Sequence, residues 1–233
     1  MTDELIEKPL AEVSDIASLL SGVTTNKYAT PAAMSTVSKA SDFLPYVALH
    51  GSNSKLVKKG EFPMGHFGLA VSSQSVVDLG DNFVMLVLAW RPKAMAFNPK
   101  PISYFDPNSE DFKRIEDKSK NTKEKGWGCG PEFLIWLPDK AMFASYYLGN
   151  KTGRNESPNI LGPLQERGPF VCKQESHLIE TTEYSWHGPR TRKHDLGIIL
   201  PPAEKVLVEV GKFNNPPVAQ EELADDGEGE ERR

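Results

Sequence analysis

From Phe43 onward the chain consists of short apolar segments separated by glycine and proline, and this spacing limits the fold more than any other feature. Segments of five to nine residues that are rich in β-branched and aromatic side chains are typical of strands. They are Tyr46–His50, Phe67–Val71, Phe83–Trp90, Phe133–Leu137, Met142–Leu148, Leu178–Trp186 and Val206–Val210. The pattern predicts a mainly β (α+β) domain.

Turn and capping signals add one hairpin and three helices. Leu137-Pro138-Asp139-Lys140 places proline where a type I turn favours it, which predicts a hairpin over Phe133–Leu148. Helical spacing of apolar residues predicts a helix over Pro9–Gly22, another over Ser109–Lys118 and a third that begins at Ser157-Pro158. The chain therefore divides into an N-terminal helix and arm (1–42), a β-rich domain (43–217) and a disordered acidic tail (218–233).

The acidic charge is concentrated at the end of the chain. The formal net charge is −5, and residues 218–233 carry seven acidic side chains against Arg232 and Arg233, which accounts for all of it. Residues 1–217 hold 25 basic and 25 acidic side chains and are neutral as a whole. An acidic total therefore does not exclude an anionic partner such as nucleic acid.

Composition argues against several classes of protein. Two cysteines, Cys129 and Cys172, are too few for a disulfide scaffold and lack the paired spacing of a zinc ribbon. The acidic N-terminus does not fit a signal peptide, and the longest apolar run is far shorter than the about 20 residues of a spanning helix. We expect a cytoplasmic protein.

The chain contains no motif that predicts catalysis. Gly126-Trp127-Gly128-Cys129-Gly130 matches neither a P-loop nor a dinucleotide fingerprint, and Gly51-Ser52-Asn53-Ser54 lacks the second glycine of a nucleophile elbow. The types of residue that bind metals do occur, but their spacing matches no zinc module. They are Cys172, His177, His187 and His194, with Cys129 or Asp195 as further candidates. We therefore predict no catalytic residue, no metal ligand and no cofactor.

Basic residues are interleaved with aromatic residues between positions 90 and 193, and all four tryptophans of the chain lie in this stretch. Proteins that bind single-stranded nucleic acid need this mixture, because rings stack on unpaired bases while lysine and arginine contact phosphates. Strand alternation would place Tyr184 and Trp186 side by side and would point one ring of Tyr146 and Tyr147 outward. The candidate nucleic-acid-binding residues are Arg91, Lys93, Trp127, Tyr146, Tyr147, Lys151, Arg154, Tyr184, Trp186, His187, Arg190, Arg192 and Lys193.

This arrangement resembles the phage-type single-stranded-DNA-binding proteins, in which aromatic and basic residues line one groove and an acidic tail follows, here Ala219–Glu231. Four segments are also similar to segments of phage-encoded proteins: Gly51–Ser54, Met64–Leu69, Leu86–Ala94 and Tyr184–Pro189. The resemblance implies an OB-like β-barrel elaborated by short helices, DNA replication as the process, and replication or recombination proteins as partners of the tail. If the chain is phage-encoded, its location is the host cytoplasm. The chain departs from that class at Glu231-Arg232-Arg233, where an aromatic residue is typical.

The sequence therefore predicts a non-enzymatic protein that binds single-stranded DNA without sequence preference, while its tail competes for the groove. RNA is an open alternative to DNA, and the chain could also form a homo-oligomer. One other interpretation is a structural or virion-type assembly protein that does not bind nucleic acid. A metal-dependent nuclease is a third interpretation.

Overall fold

The computed structural model describes residues 16, 18, 20, 44–72, 75–97, 101–121 and 125–215. Nine strands form its main element: β1 (Tyr46–Leu49), β2 (Phe67–Ala70), β3 (Val76–Gly80), β4 (Asn82–Ala96), β5 (Ile102–Tyr104), β6 (Trp127–Leu137), β7 (Met142–Tyr147), β8 (Phe170–Glu180) and β9 (Ser185–Lys193). The helices are α1 (Lys55–Lys58), α2 (Glu110–Lys120), α3 (Lys151–Glu156), α4 (Pro158–Arg167) and α5 (Ala203–Asn214). The described part of the chain is therefore mainly β, as the sequence predicts.

All nine strands belong to one open mixed sheet. Its order is β3-β2-β1-β7-β6-β4-β8-β9, and β5 pairs with the far end of β4. Strands β1 and β7 pair in parallel, and every other pairing is antiparallel. Strands β8 and β9 form a long hairpin at the end opposite β3, and this hairpin carries most of the site described below.

The central strands bury side chains on both faces of the sheet. On β4, Phe83, Met85 and Val87 enter one apolar cluster, while Leu86 and Leu88 enter another on the opposite face. The ring of Phe67 on β2 lies 4.9 Å from the ring of Phe83, measured between centroids, although three strands separate them. The sheet must curve strongly to bring them together, so we call the Phe83 face concave and the Leu86 face convex.

Helices cover both faces. On the concave side, α4 contributes Ile160 and Leu164 to the cluster that contains Phe83. On the convex side, α5 contributes three residues that follow helical spacing, Val206, Val210 and Phe213. Ile16 and Leu20 are helical and buried in this same convex cluster. None of the described helices is long and apolar enough to cross a membrane.

A register shift divides β4 into two halves. The pairing with β6 passes from Val87 opposite Ile135 to Ala89 opposite Leu134, so one residue of β4 is extra. Leu88 and Ala89 consequently both belong to the convex cluster, and Trp90 returns to the concave one. The same shift places Arg91 opposite Glu132.

Several local predictions are confirmed. The β6–β7 hairpin turns through a single 3-10 turn at Pro138–Lys140, followed by Ala141 in the left-handed region. Helix α2 begins after Ser109, whose side chain accepts a hydrogen bond from the amide of Phe112. Helix α4 begins at Pro158, as predicted.

Two of the predicted strands are wrong. Val206–Val210 lies inside α5, because its apolar side chains at positions 206, 210 and 213 face the sheet at helical spacing. Leu178–Trp186 is not one strand, since β8 ends at Glu180 and β9 begins at Ser185. The predicted arm, the acidic tail and most of the Pro9–Gly22 helix lie outside the described residues.

Candidate nucleic-acid interface

The β8–β9 hairpin extends beyond the rest of the sheet. Glu175 on β8 pairs with Asn82 at the beginning of β4, and the Ser176 amide donates to the carbonyl oxygen of Asp81 at 2.7 Å. The residues of β8 beyond Ser176 pair only with β9. The hairpin turns at Thr181–Tyr184. The Thr181 hydroxyl accepts a hydrogen bond from the Tyr184 amide and donates one to the Tyr184 carbonyl oxygen. This turn places Tyr184 beside the first residues of β9.

Tyr184 and Trp186 form an exposed pair of rings near the hairpin tip. Their centroids are 5.6 Å apart and their planes are inclined by 39°. The Tyr184 side chain is among the most exposed of the large apolar ones, at 64 %, and Trp186 is half-buried. A base between parallel rings would need about 7 Å, so these two rings offer an outer surface for stacking rather than a slot.

A hydrogen bond from the neighbouring helix fixes the Trp186 indole. The indole Nε1 donates to Thr152 Oγ1 at 3.1 Å, and Thr152 lies on α3. Lys151, the residue before it, is exposed at the start of the same helix. Helix α3 therefore orients one ring of the pair, and its first residue is an exposed lysine.

A basic stripe, defined as Lys173, Arg190 and Arg192, follows one face of the hairpin. Lys173 pairs directly with Arg192, and Glu175 pairs directly with Arg190, so these four side chains share one face. Glu175 accepts from Lys173 at 3.1 Å and from Arg192 at 3.2 Å. These hydrogen bonds hold the pKa of the Glu175 carboxyl below its ordinary value, and the bond from Lys173 has the largest effect.

Arg190 is the one arginine of the stripe without an ion pair to a described residue. Its neighbour in the predicted cluster, Lys193, points to the other face of β9 and pairs with Asp195 at 2.8 Å. His187 also lies on that other face, where its ring packs closely against the backbone of Gly65, whose φ is +83°. His187 therefore has a packing role in the loop that precedes β2.

Arg91 and Lys93 do not lie on an open surface, contrary to the prediction. Both pair with Glu132 at 2.6 Å, and only 16 % and 12 % of their side chains are exposed. The Arg91 guanidinium lies between the rings of Phe105 and Phe213, 4.0 and 4.1 Å from their centroids, and it also donates to the Phe213 carbonyl oxygen. Arg91 therefore holds α5 against the sheet, and Lys93 shares its counter-charge, Glu132.

Tyr146 is likewise a core residue and not a stacking platform. Its side chain is 1 % exposed, and its hydroxyl donates to Gln174 at 3.3 Å. Burial raises its pKa well above the ordinary value. Tyr147 points the other way, as alternation requires, but it packs against Gly149 and donates to the Lys93 carbonyl oxygen at 3.3 Å.

Arg154 and Trp127 have structural contacts as well. The Arg154 guanidinium donates to three backbone carbonyl oxygens, those of Gly149, Cys129 and Ser119, at 2.7 to 3.2 Å. Trp127 is half-buried against the α2 cluster, and Lys118 Nζ lies 4.3 Å from its ring centroid. The predicted residues that the structure brings together on the hairpin and α3 are Lys151, Tyr184, Trp186, Arg190 and Arg192.

Three residues of this surface were missed by the sequence analysis: Thr152, Lys173 and Glu175. Lys173 and Glu175 lie in the first half of β8, which the predicted strand from Leu178 onward does not include. The alternation of Val171, Lys173 and Glu175 with Cys172 and Gln174 is a usable strand signal. It would have placed the two charged residues on one face.

The cysteines and histidines that were considered as metal ligands do not come together in a metal site among the described residues. Within the ranges that the structure describes, no three His, Cys, Asp or Glu side chains are close enough to hold a metal ion. Burial raises the pKa of Cys129 to about 11 and that of Cys172 to about 12, so both are protonated thiols at neutral pH. His177 lies 2.9 Å, through Nδ1, from the carbonyl oxygen of Gly188.

Comparison with protein-family models, with curated proteins and with solved structures finds no match for this chain.

Proposed function

We propose that this protein binds single-stranded DNA without sequence preference, on the surface formed by the β8–β9 hairpin and α3. The observation that carries the proposal is the exposed Tyr184–Trp186 ring pair on the same hairpin as the basic stripe. Stacking on such rings contributes about 1 to 3 kcal/mol per base, and phosphate contacts supply the part of the affinity that depends on salt. Single-stranded RNA offers the same two chemical features.

The surface is long enough for several nucleotides. Trp186, Arg190 and Arg192 alternate on one face of β9, so the stripe and the ring pair span about 20 Å at about 3.3 Å per residue. An OB-like barrel, the scaffold expected for such a groove, remains a prediction. The proposed surface needs only two paired strands and one helix.

The acidic tail is proposed to compete for this surface. Val171 lies in the convex cluster with α5, and alternation places Lys173 on the same side of β8. Arg91 on β4 bonds to the end of α5, and Val84 on the same strand pairs with Lys173. Seven residues separate Arg91 from Val84, so the end of α5 lies about 23 Å from the stripe along β4. Residues 216–233 span about 60 Å when fully extended, so their carboxylates can reach the stripe.

The first test is a titration with a single-stranded oligonucleotide, followed by the anisotropy of a labelled strand and by tryptophan fluorescence. We expect binding that weakens steeply with salt and is accompanied by quenching. Trp186→Phe should keep the binding and lose most of the quenching, because a ring remains while the nearby indole is removed. Absence of binding at low salt, or an affinity that salt does not change, would contradict the proposal.

The second test removes the tail. A chain that ends at Pro217 should bind more tightly than the full chain at low salt, and the difference should vanish as salt screens the tail. An equal or weaker affinity at low salt would rule out competition by the tail. Such a result would leave the ring pair and the stripe unaffected.

The assembly interpretation also has an observation in its favour. Exposed apolar side chains lie just before α5 and on its outer side, namely Leu196, Ile199, Leu207 and Val208 at 68, 53, 38 and 54 %. Groups of exposed apolar residues are typical of surfaces that contact another protein. Size-exclusion chromatography would favour assembly if the protein formed large homo-oligomers without excess absorbance at 260 nm.

A further inference from the structure

The basic stripe contains a carboxylate of its own, at its centre. Glu175 lies between Lys173, its neighbour on the same face of β8, and Arg192 on β9, and it bonds to both. Arg190 is the residue directly opposite Glu175. A single acidic side chain therefore forms ion pairs with two of the three cations of the stripe.

We propose that Glu175 is an internal competitor for phosphate, which holds Lys173 and Arg192 until a nucleic-acid strand displaces it. This inference rests on the proposed function, because it concerns the same surface. A carboxylate and a phosphate present similar oxygen acceptors to lysine and arginine, so they compete for the same donors. Binding a phosphate there leaves Glu175 unpaired beside a second anion, which lowers the affinity.

The exposure of the cluster makes this exchange feasible. About a third of the Glu175 side chain is exposed, as is a third of Lys173 and half of Arg192. Ion pairs at that exposure are weak, because water screens them and solvates each partner when they separate. The stripe can therefore exchange its anion without disturbing the buried side of the hairpin, where Gln174 bonds to Thr191.

The competitor also explains how a hairpin with mixed charges could be selective for long strands. Glu180 and Glu183 lie near the hairpin tip, so acidic residues there nearly balance the stripe. A single phosphate gains little by displacing Glu175. A strand that already stacks on Tyr184 and Trp186 presents its phosphates at high effective concentration, and this offsets the loss of the ion pairs.

The test compares Glu175→Gln with Glu166→Gln in the full chain, with a labelled single-stranded oligothymidylate as the probe. Both substitutions change the net charge equally, and Glu166 is exposed on α4, on the opposite face of the sheet. We expect Glu175→Gln to tighten binding by about three- to tenfold at low salt and to steepen the salt dependence by about one to two counterions. Glu166→Gln should stay within about twofold of the wild type.

Two outcomes would overturn the inference, and they differ from a failure of the proposed function. If the wild type binds but Glu175→Gln matches Glu166→Gln, the carboxylate does not compete. If Glu175→Gln weakens binding, the carboxylate orients the two cations instead, and Glu175→Asp should then restore part of the affinity. If neither the wild type nor either variant binds the oligonucleotide at low salt, the proposed function itself fails, and the inference fails with it.

Discussion

Two carboxylates of this chain each bridge a lysine and an arginine, in very different surroundings. Glu132 bonds to Arg91 and Lys93 at 2.6 Å, and its side chain is 2 % exposed. Glu175 bonds to Lys173 and Arg192 at 3.1 and 3.2 Å, and its side chain is 33 % exposed. The same set of charges thus holds a helix in one place and lies open to solvent in the other, which shows that burial, not residue type, separates structural cations from available ones.

The largest expected effect comes from breaking the buried cluster. Glu132→Gln leaves Arg91 and Lys93 without their counter-charge inside the protein, so we expect the free energy of unfolding to fall by about 3 to 5 kcal/mol. Glu175→Gln should change it by less than about 0.5 kcal/mol, because its ion pairs are exposed. Urea unfolding of both variants measures the difference, and equal stabilities would mean that the buried cluster does not hold α5.

Acid should also weaken the buried cluster, by protonating Glu132. Burial alone would raise the pKa of Glu132, but Lys93 and Arg91 outweigh it, and the pKa lies below its ordinary value. A carboxyl whose pKa is lowered by folding stabilises the native state above its unfolded pKa, about 4.3, and this contribution is lost as pH falls further. Urea unfolding between pH 7 and pH 3 should therefore show a loss of stability that is smaller in Glu132→Gln. An identical pH dependence in the variant and the wild type would assign the loss to other groups.

A smaller effect is expected at the ring pair. Tyr184→Ala removes an exposed ring, so it should weaken binding to a single strand by about 1 to 3 kcal/mol while the melting temperature stays the same. Tyr147→Phe is the matched control, since it alters a half-buried tyrosine away from the hairpin. Binding that is unchanged in Tyr184→Ala would remove the ring pair from the proposed interface.

The smallest expected effect is on the salt dependence of binding, and it should distinguish Arg192 from Arg91. Arg192→Ala should reduce the slope of log affinity against log salt by about one, with no change in thermal stability. Arg91→Ala should leave the salt slope unchanged and lower the thermal stability, because its guanidinium is buried between two rings and bonded to α5. A reduced salt slope in Arg91→Ala, measured below its melting temperature, would show that the buried cluster does reach the ligand.

The fold could be predicted from the sequence where local signals and tertiary packing agree. Pro138 marks the β6–β7 turn, and Ser109 and Pro158 mark helix starts. The prediction failed at α5, where Val206, Val208 and Val210 favour a strand although packing selects a helix. It also missed the turn at Thr181–Tyr184, which contains no glycine, proline or asparagine and is closed by the Thr181 hydroxyl.

The site was predictable only in part, because the sequence shows which residues are charged but not which are paired. Tyr184 and Trp186 do lie side by side, although a turn rather than a continuous strand brings them together. Arg91 and Arg192 look alike in the sequence. Each pairs with a carboxylate on the adjacent strand, Glu132 for Arg91 and Glu175 for Arg192. Only Arg91 also bonds to a helix, through the carbonyl oxygen of Phe213.

The extra residue of β4 decides which side of the sheet receives the buried cations. Before it, even-numbered side chains face α5, whereas beyond it the odd-numbered ones do, and Arg91 is the residue that meets Phe213. Deleting either Leu88 or Ala89 would exchange the two sides for the rest of the strand, so that Trp90 would face α5 and Arg91 would face the apolar concave cluster. Substitutions along β4 change one contact at a time, but a change of length at this point would invert the whole half-strand.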